Sequence, residues 1–267
     1  MEIKKKYFVI GNPIDHSLSP RLQNHWLKEN NINATYEKIK LEENEINIFF
    51  QDIKKQNIIG CNVTVPFKKK VLSFLDKLSP EAEQTQSVNT VVFDSGYLVG
   101  HNTDIVGFEK AIKSLNFDIK EKKILVLGAG GVVPSIIFAL KRMEVSQVTI
   151  SNRTRQNAEN LKTQFNDLHV VEWGTLPELD VIINATSLGL KNETINIDFS
   201  KIGKNKLFYD VIYNPVQTSF LKKGKASGNL SENGKLMFVY QASEAFKLWH
   251  GIEPEINADT LKLLDND

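Results

Sequence analysis

Short apolar, β-branched runs alternate with stretches of helical periodicity along the whole chain, the pattern of an α/β protein. The apolar runs predict strands over residues 7–11, 34–39, 58–65, 88–93, 124–127, 147–151, 181–184 and 207–210. Amphipathic spacing predicts helices over 44–55, 104–115, 134–143, 155–165 and 236–249. Residues 97–99 pair with 91–93 as a hairpin through Asp94-Ser95-Gly96. No repeat or low-complexity linker interrupts this alternation.

Composition narrows the class. A chain of 267 residues with 41% hydrophobic and 24% charged content is long enough to bury one large core or two ordinary ones, which excludes disorder. The net charge of +1 gives no basic excess for nucleic acid or a membrane surface, and the lysine runs at 4–6 and 68–70 lack interleaved aromatic residues. The apolar run 7–10 is too short for a signal segment and no window approaches a membrane span, so a cytoplasmic protein is expected. The single cysteine, Cys61, lies among apolar residues, which predicts a buried, inert thiol and excludes an internal disulfide. His16, His25, His101, His169 and His250 show no metal-ligand spacing, so no metal is expected.

The strand 124–127 runs into Gly128-Ala129-Gly130-Gly131 and then into a helix with Pro134 in its first turn. Glycines there permit a tight turn and close approach of backbone amides to a pyrophosphate at the helix N-terminus. Val133 stands where the third glycine of a G-x-G-x-x-G turn would be, but strand, turn, helix and second strand follow in the required order. An NAD site of this kind places an acidic residue about 20 residues past the glycines. Here the segment reads Ser151-Asn152-Arg153-Thr154-Arg155, whose guanidinium groups suit a 2′-phosphate and predict NADP(H). This nucleotide segment begins in mid-chain, so residues 1–103 with 234–267 are expected to form one domain and 104–233 a Rossmann-type domain.

Four polar clusters follow or interrupt apolar strands: Ser17-Leu18-Ser19-Pro20, Asn62 to Lys68, Ser87 to Thr90, and Asn102-Thr103-Asp104. In the second, Pro66 removes a backbone donor and ends the strand, which puts Lys68 at a turn by a strand end, where open α/β sheets keep their chemistry. Each cluster also has a bland explanation: Ser17, Ser19 or Asp104 as a helix cap, Asn89 at a bend, Lys68 as a solvated cation. Together they supply the hydroxyls, amides, cation and carboxylate that suit a small polyhydroxylated acid.

With Gly11-Asn12-Pro13, His16 to Pro20, Asn62 to Lys68, Val88-Asn89-Thr90, Asn102-Thr103-Asp104, Gly128 to Gly131, Asn152-Arg153-Thr154, Asn184 to Ser187, Tyr209-Asp210 through Tyr213-Asn214-Pro215 and Gln241-Ala242 in order, the chain resembles the shikimate dehydrogenase family over nearly its whole length. The resemblance implies NADPH-dependent reduction of 3-dehydroshikimate to shikimate, in the pathway to aromatic amino acids. It implies an α/β substrate-binding domain, to which the C-terminal helices return, a Rossmann-type NADP-binding domain and a cleft between them. It places Ser17 and Ser19 on the substrate carboxylate with Tyr213 near it, and Thr64, Asn89, Asp104 and Gln241 on ring hydroxyls. Lys68 and Asp104 become the catalytic pair. For the cofactor it assigns Gly128 to Val132, Asn152 to Arg155, Asn157, Val211, Gly234 and Met237. The partners expected are small molecules, without nucleic acid or membrane, and the expected assembly is a homodimer.

Three segments depart from the family pattern. Val132-Val133-Pro134-Ser135 replaces small residues and a basic one, Asn157 replaces a basic residue whose work would pass to Arg155, and Gly234 to Phe238 is less glycine-rich. A paralogue acting on quinate and a catalytically silent sensor are the rival readings; Arg153 opposes the first, and Lys68 with Asp104 the second.

Overall fold

The computed structural model describes residues 4–191 and 193–265; the first three and last two positions of the expected substrate-binding domain lie outside them. The chain forms two compact units, one built from residues up to Gly107 and from Val239 onward, the other Phe108–Phe238.

The first unit begins with β1 (Lys5–Gly11), α1 (Ser19–Glu29), β2 (Ala34–Lys40), α2 (Ile46–Lys54) and β3 (Gly60–Val63). It continues through β4 (Lys77–Leu78), α3 (Pro80–Thr85), β5 (Thr90–Asp94) and β6 (Tyr97–His101). The sheet order is β2-β1-β3-β5-β6-β4. β1 runs parallel to β2 and β3, whereas β5 is antiparallel to both β3 and β6. The hairpin forms as expected: Ser95 and Gly96 both take positive φ, the two-residue turn whose twist matches its strands. The predicted strand 58–65 is shorter than its apolar run, because the chain turns where Phe67 N–H donates to the Thr64 carbonyl at 2.9 Å. The predicted helix 44–55 splits into a 3₁₀ turn, Glu43–Glu45, ahead of α2. Phe8, Phe49, Phe50, Ile53, Cys61, Val63 and Phe67 share one core, and burial pushes the Cys61 thiol up, as an inert side chain requires.

α4 (Asp104–Lys113) carries the chain into the second unit. There β7 (Lys123–Leu127), α5 (Val133–Arg142), β8 (Gln147–Ser151), α6 (Arg155–Lys162) and β9 (His169–Val171) form one half. β10 (Val181–Asn184), β11 (Leu207–Asp210), α7 (Ser219–Ala226) and β12 (Leu230–Glu232) form the other. All six strands are parallel in the order β12-β11-β10-β7-β8-β9, the doubly wound order of dinucleotide-binding sheets. Central strands are buried on both faces and read as unbroken apolar runs, whereas the edge strands β9 and β12 are short and partly polar, which is why periodicity misses them. α8 (Lys235–His250) leads back into the first unit, which α9 (Ala258–Lys262) completes. No helix among the described residues is long and apolar enough to cross a membrane.

Candidate active site

Lys68 lies in the turn after β3, beside the buried ring of Phe67, and its carbonyl accepts the Val88 N–H at 2.9 Å. Its Nζ reaches Asp104 Oδ2 at 2.5 Å, with the two side chains only 11% and 8% exposed. Such burial separates this contact from surface ion pairs, whose charges water screens. Lys69 and Lys70 are exposed, and Lys70 pairs with Glu43 at the surface. Asp104 opens α4 without capping it. The Thr103 carbonyl accepts the Gly107 N–H, and the two Asp104 oxygens take Lys68 Nζ and, at 2.9 Å, Asn89 Nδ2.

Asn89 is committed throughout. Its Nδ2 also donates to Thr103 Oγ1 at 2.9 Å and lies 3.4 Å from Gln241 Oε1, which can only share a hydrogen already engaged, and its Oδ1 accepts the Thr103 N–H at 2.8 Å. The amide therefore aims Asp104, and a ring hydroxyl reaching Asn89 would have to displace one of these bonds. The network continues through Asn62, which donates to the Asn89 carbonyl at 3.1 Å and to Thr90 Oγ1 at 2.9 Å. Tyr36 O–H donates to Asn62 Oδ1 at 2.6 Å, and Ser17 Oγ accepts the Ser19 N–H at 3.3 Å. Tyr36, Asn62, Asn89, Asp104, Lys68 and Gln241 thus belong to one hydrogen-bonded set, while Ser17 and Ser19 bond to each other at the start of α1. Thr64 stands half-buried just past β3, so close to Gly11 that a Cβ added there would lie 2.5 Å from its methyl group. Tyr213 lies in the second unit, stacked on Phe238 with ring centroids 4.4 Å apart. Tyr36 went unnoticed in the sequence because a tyrosine on an alternating strand reads as core.

The second unit gathers the expected nucleotide residues at the carboxyl ends of its strands. Gly128 has φ +113°, and a Cβ there would lie 2.8 Å from the Ala185 carbonyl oxygen, so conformation and space both require glycine. A Cβ at Gly130 would meet nothing within 4 Å, which leaves open space over the turn formed with Ala129, Gly131 and Val132 ahead of α5. Val133, in place of the third glycine, is wholly buried. Asn152 Nδ2 donates to the Thr154 carbonyl at 2.8 Å, and Thr154 accepts the Asn157 N–H at 3.0 Å, which shapes the loop after β8. Arg153 is exposed and has no ion-pair partner among the described residues, whereas Arg155 is held by Glu159 and Glu172. A Cβ added at Gly234 would run into the Val211 carbonyl, so the close approach there requires glycine, and Met237, three residues on, is buried. An open glycine turn at a helix start and an available arginine fit a dinucleotide with a 2′-phosphate.

Asp210, at the end of β11, is fully buried and accepts from Thr218 Oγ1 at 2.6 Å, Asn184 Nδ2 at 3.0 Å and the Ile212 N–H at 3.0 Å. Burial pushes its carboxyl up to about 6 against these three donors. The folded protein then holds this proton more tightly than the unfolded chain, so the contribution to stability falls as pH rises from about 4 to about 6. Relative to Asp210→Asn, the native chain is expected to lose up to about 3 kcal/mol over that window in urea titrations, and a flat or rising difference would contradict it.

Two features define the class. One unit has the sheet order and glycine turn that serve a dinucleotide, and the other buries a lysine against an aspartate, the equipment of a pyridine-nucleotide-dependent dehydrogenase. Residues 9–91 match a family profile described as the shikimate dehydrogenase substrate binding domain, and 109–210 match one described as shikimate / quinate 5-dehydrogenase. The shikimate dehydrogenase (NADP(+)) of Pelagibacter ubique is 52% identical over 264 residues, 98% of this chain and 100% of that protein. Among solved structures, shikimate dehydrogenase from Aquifex aeolicus aligns with TM-score 0.89 and 38% identity, over 99% of this chain and 98% of its own. The Thermus thermophilus enzyme, solved in complex with NADP(H) and shikimate, aligns with TM-score 0.89 and 31% identity, over 97% of this chain and 98% of its own. The chain belongs to the shikimate dehydrogenase family.

Proposed function

We propose that the chain catalyses the reversible NADPH-dependent reduction of 3-dehydroshikimate to shikimate, with Lys68 and Asp104 as the acid–base pair. The observation that carries the roles is the buried 2.5 Å contact between Lys68 Nζ and Asp104, with Asn89 on the other carboxylate oxygen. NADPH, when bound, supplies a hydride to the ketone carbon. As the ketone oxygen gains negative charge, the Lys68 ammonium stabilises it and gives it a proton. Asp104 holds Nζ in place through that transfer, and in the oxidation direction neutral Lys68 takes the proton from the alcohol.

Ser17 and Ser19 take the substrate carboxylate with Tyr213, and Thr64 and Gln241 take ring hydroxyls. Gly128 to Val132 take the pyrophosphate, Asn152 to Thr154 the adenosine 2′-phosphate, and Val211, Gly234 and Met237 the nicotinamide end. The same reading divides the chain into a substrate domain of 1–103 with 234–267 and a cofactor domain of 104–233, in a homodimer of the cytoplasm. Absorbance of NADPH formed from NADP and shikimate, measured beside quinate and beside NAD, tests it; a folded protein without a shikimate-dependent signal overturns it. Arg153→Ala is expected to weaken NADPH binding by about 10-fold or more while NADH binding changes little, since the guanidinium contacts only the phosphate. Fluorescence titration with both nucleotides checks that difference.

A further inference from the structure

Arg155 carries more charge than it can offer a ligand. Its Nε and one terminal nitrogen lie 3.1 and 2.9 Å from Glu159 Oε1, one turn along α6, and its other terminal nitrogen meets Glu172. Glu172 follows β9 directly, and the register pairing Ser151 with Val171 brings it beside the Asn152-Arg153 segment. The Ser151 hydroxyl donates to the Glu172 carbonyl at 3.2 Å, so this placement is built into the sheet edge. Two arginines and two glutamates cancel at the end of β8, where the sequence alone showed only cations.

We propose that Glu172 restrains NADPH affinity by tethering Arg155, so that Arg153 alone meets the 2′-phosphate and Arg155 joins it only when Glu172 lets go. This rests on the assignment of the loop after β8 to the 2′-phosphate. A carboxylate near a doubly charged phosphate repels it and also occupies the guanidinium that would neutralise it. The cofactor preference is thereby set below what two free arginines would give, and the restraint acts on the phosphate alone, because the ribose hydroxyl of NADH carries no charge.

The test uses the full chain and measures NADPH and NADH dissociation constants by fluorescence at low salt. Glu172→Gln is expected to tighten NADPH by roughly threefold to tenfold and to leave NADH within about twofold, with the gain shrinking as salt rises. Arg155→Ala is expected to cost NADPH affinity several-fold more in the Glu172→Gln background than in the native one, and to erase the gain there. No tightening in Glu172→Gln, or a gain that survives in the double variant, overturns the tether. Arg153→Ala separates the two claims: if it leaves NADPH binding intact, the loop is not the phosphate site and the underlying assignment fails, whatever Glu172 does.

Discussion

Replacing Lys68 with alanine is expected to lower kcat by about 100-fold to 10,000-fold, the range for loss of a general acid, with KM for shikimate changed far less. Hydride reaching a ketone carbon leaves negative charge on oxygen, and the ammonium is the group that both meets that charge and discharges it. Lys68→Arg keeps a positive charge but cannot release its proton, so it is expected to remain close to the alanine variant in kcat. That pair of variants separates proton transfer from charge alone. Removing Lys68 also strands Asp104, 8% exposed, without its cation, a loss of about 3 to 5 kcal/mol that far-UV circular dichroism must show the fold survives. A loss of affinity equal to the loss in kcat/KM, with kcat intact, would make Lys68 a substrate anchor and end its role as acid.

Lys68 shows what the sequence could and could not tell. Its place at a strand end followed from Pro66 and the apolar run before it, and the glycine turn at Gly128 followed from a buried parallel strand meeting a helix, because both are local rules of backbone geometry. The short contact with Asp104 joins residues 36 positions apart, and no local rule reaches across that distance. Asn62 reads in sequence only as the start of a polar cluster; the fold makes it a link between Tyr36 and Asn89. Arg155 is the counter-example. Beside Arg153 it reads as a second phosphate ligand, but Glu172 comes from just past the end of another strand, and only the β8–β9 register shows the two ion-paired. Local sequence thus reported which groups stand at strand ends, while the partners that decide their work came from tertiary pairing.

Asp104→Asn is expected to cut kcat by about 100-fold to 1,000-fold with the fold retained. The substitution is nearly isosteric, yet it cannot satisfy both neighbours. Asp104 Oδ2 faces the Lys68 ammonium and Oδ1 faces Asn89 Nδ2, and both of those groups are donors. An asparagine has one oxygen and one NH₂, so either Lys68 or Asn89 must meet a donor in whichever orientation it takes. Turning the oxygen toward Lys68 places two NH₂ groups against each other at Asn89, whose own bonds to Thr103 hold it in place. Turning it the other way repels the ammonium and frees Nζ from the position it needs for proton transfer. Loss of the negative charge compounds either choice, because the buried lysine keeps no counter-ion. Steady-state kinetics beside circular dichroism decide the case: an unfolded variant would mean that Asp104 mainly holds α4 in place, and a folded variant with native kcat would remove it from the proton transfer.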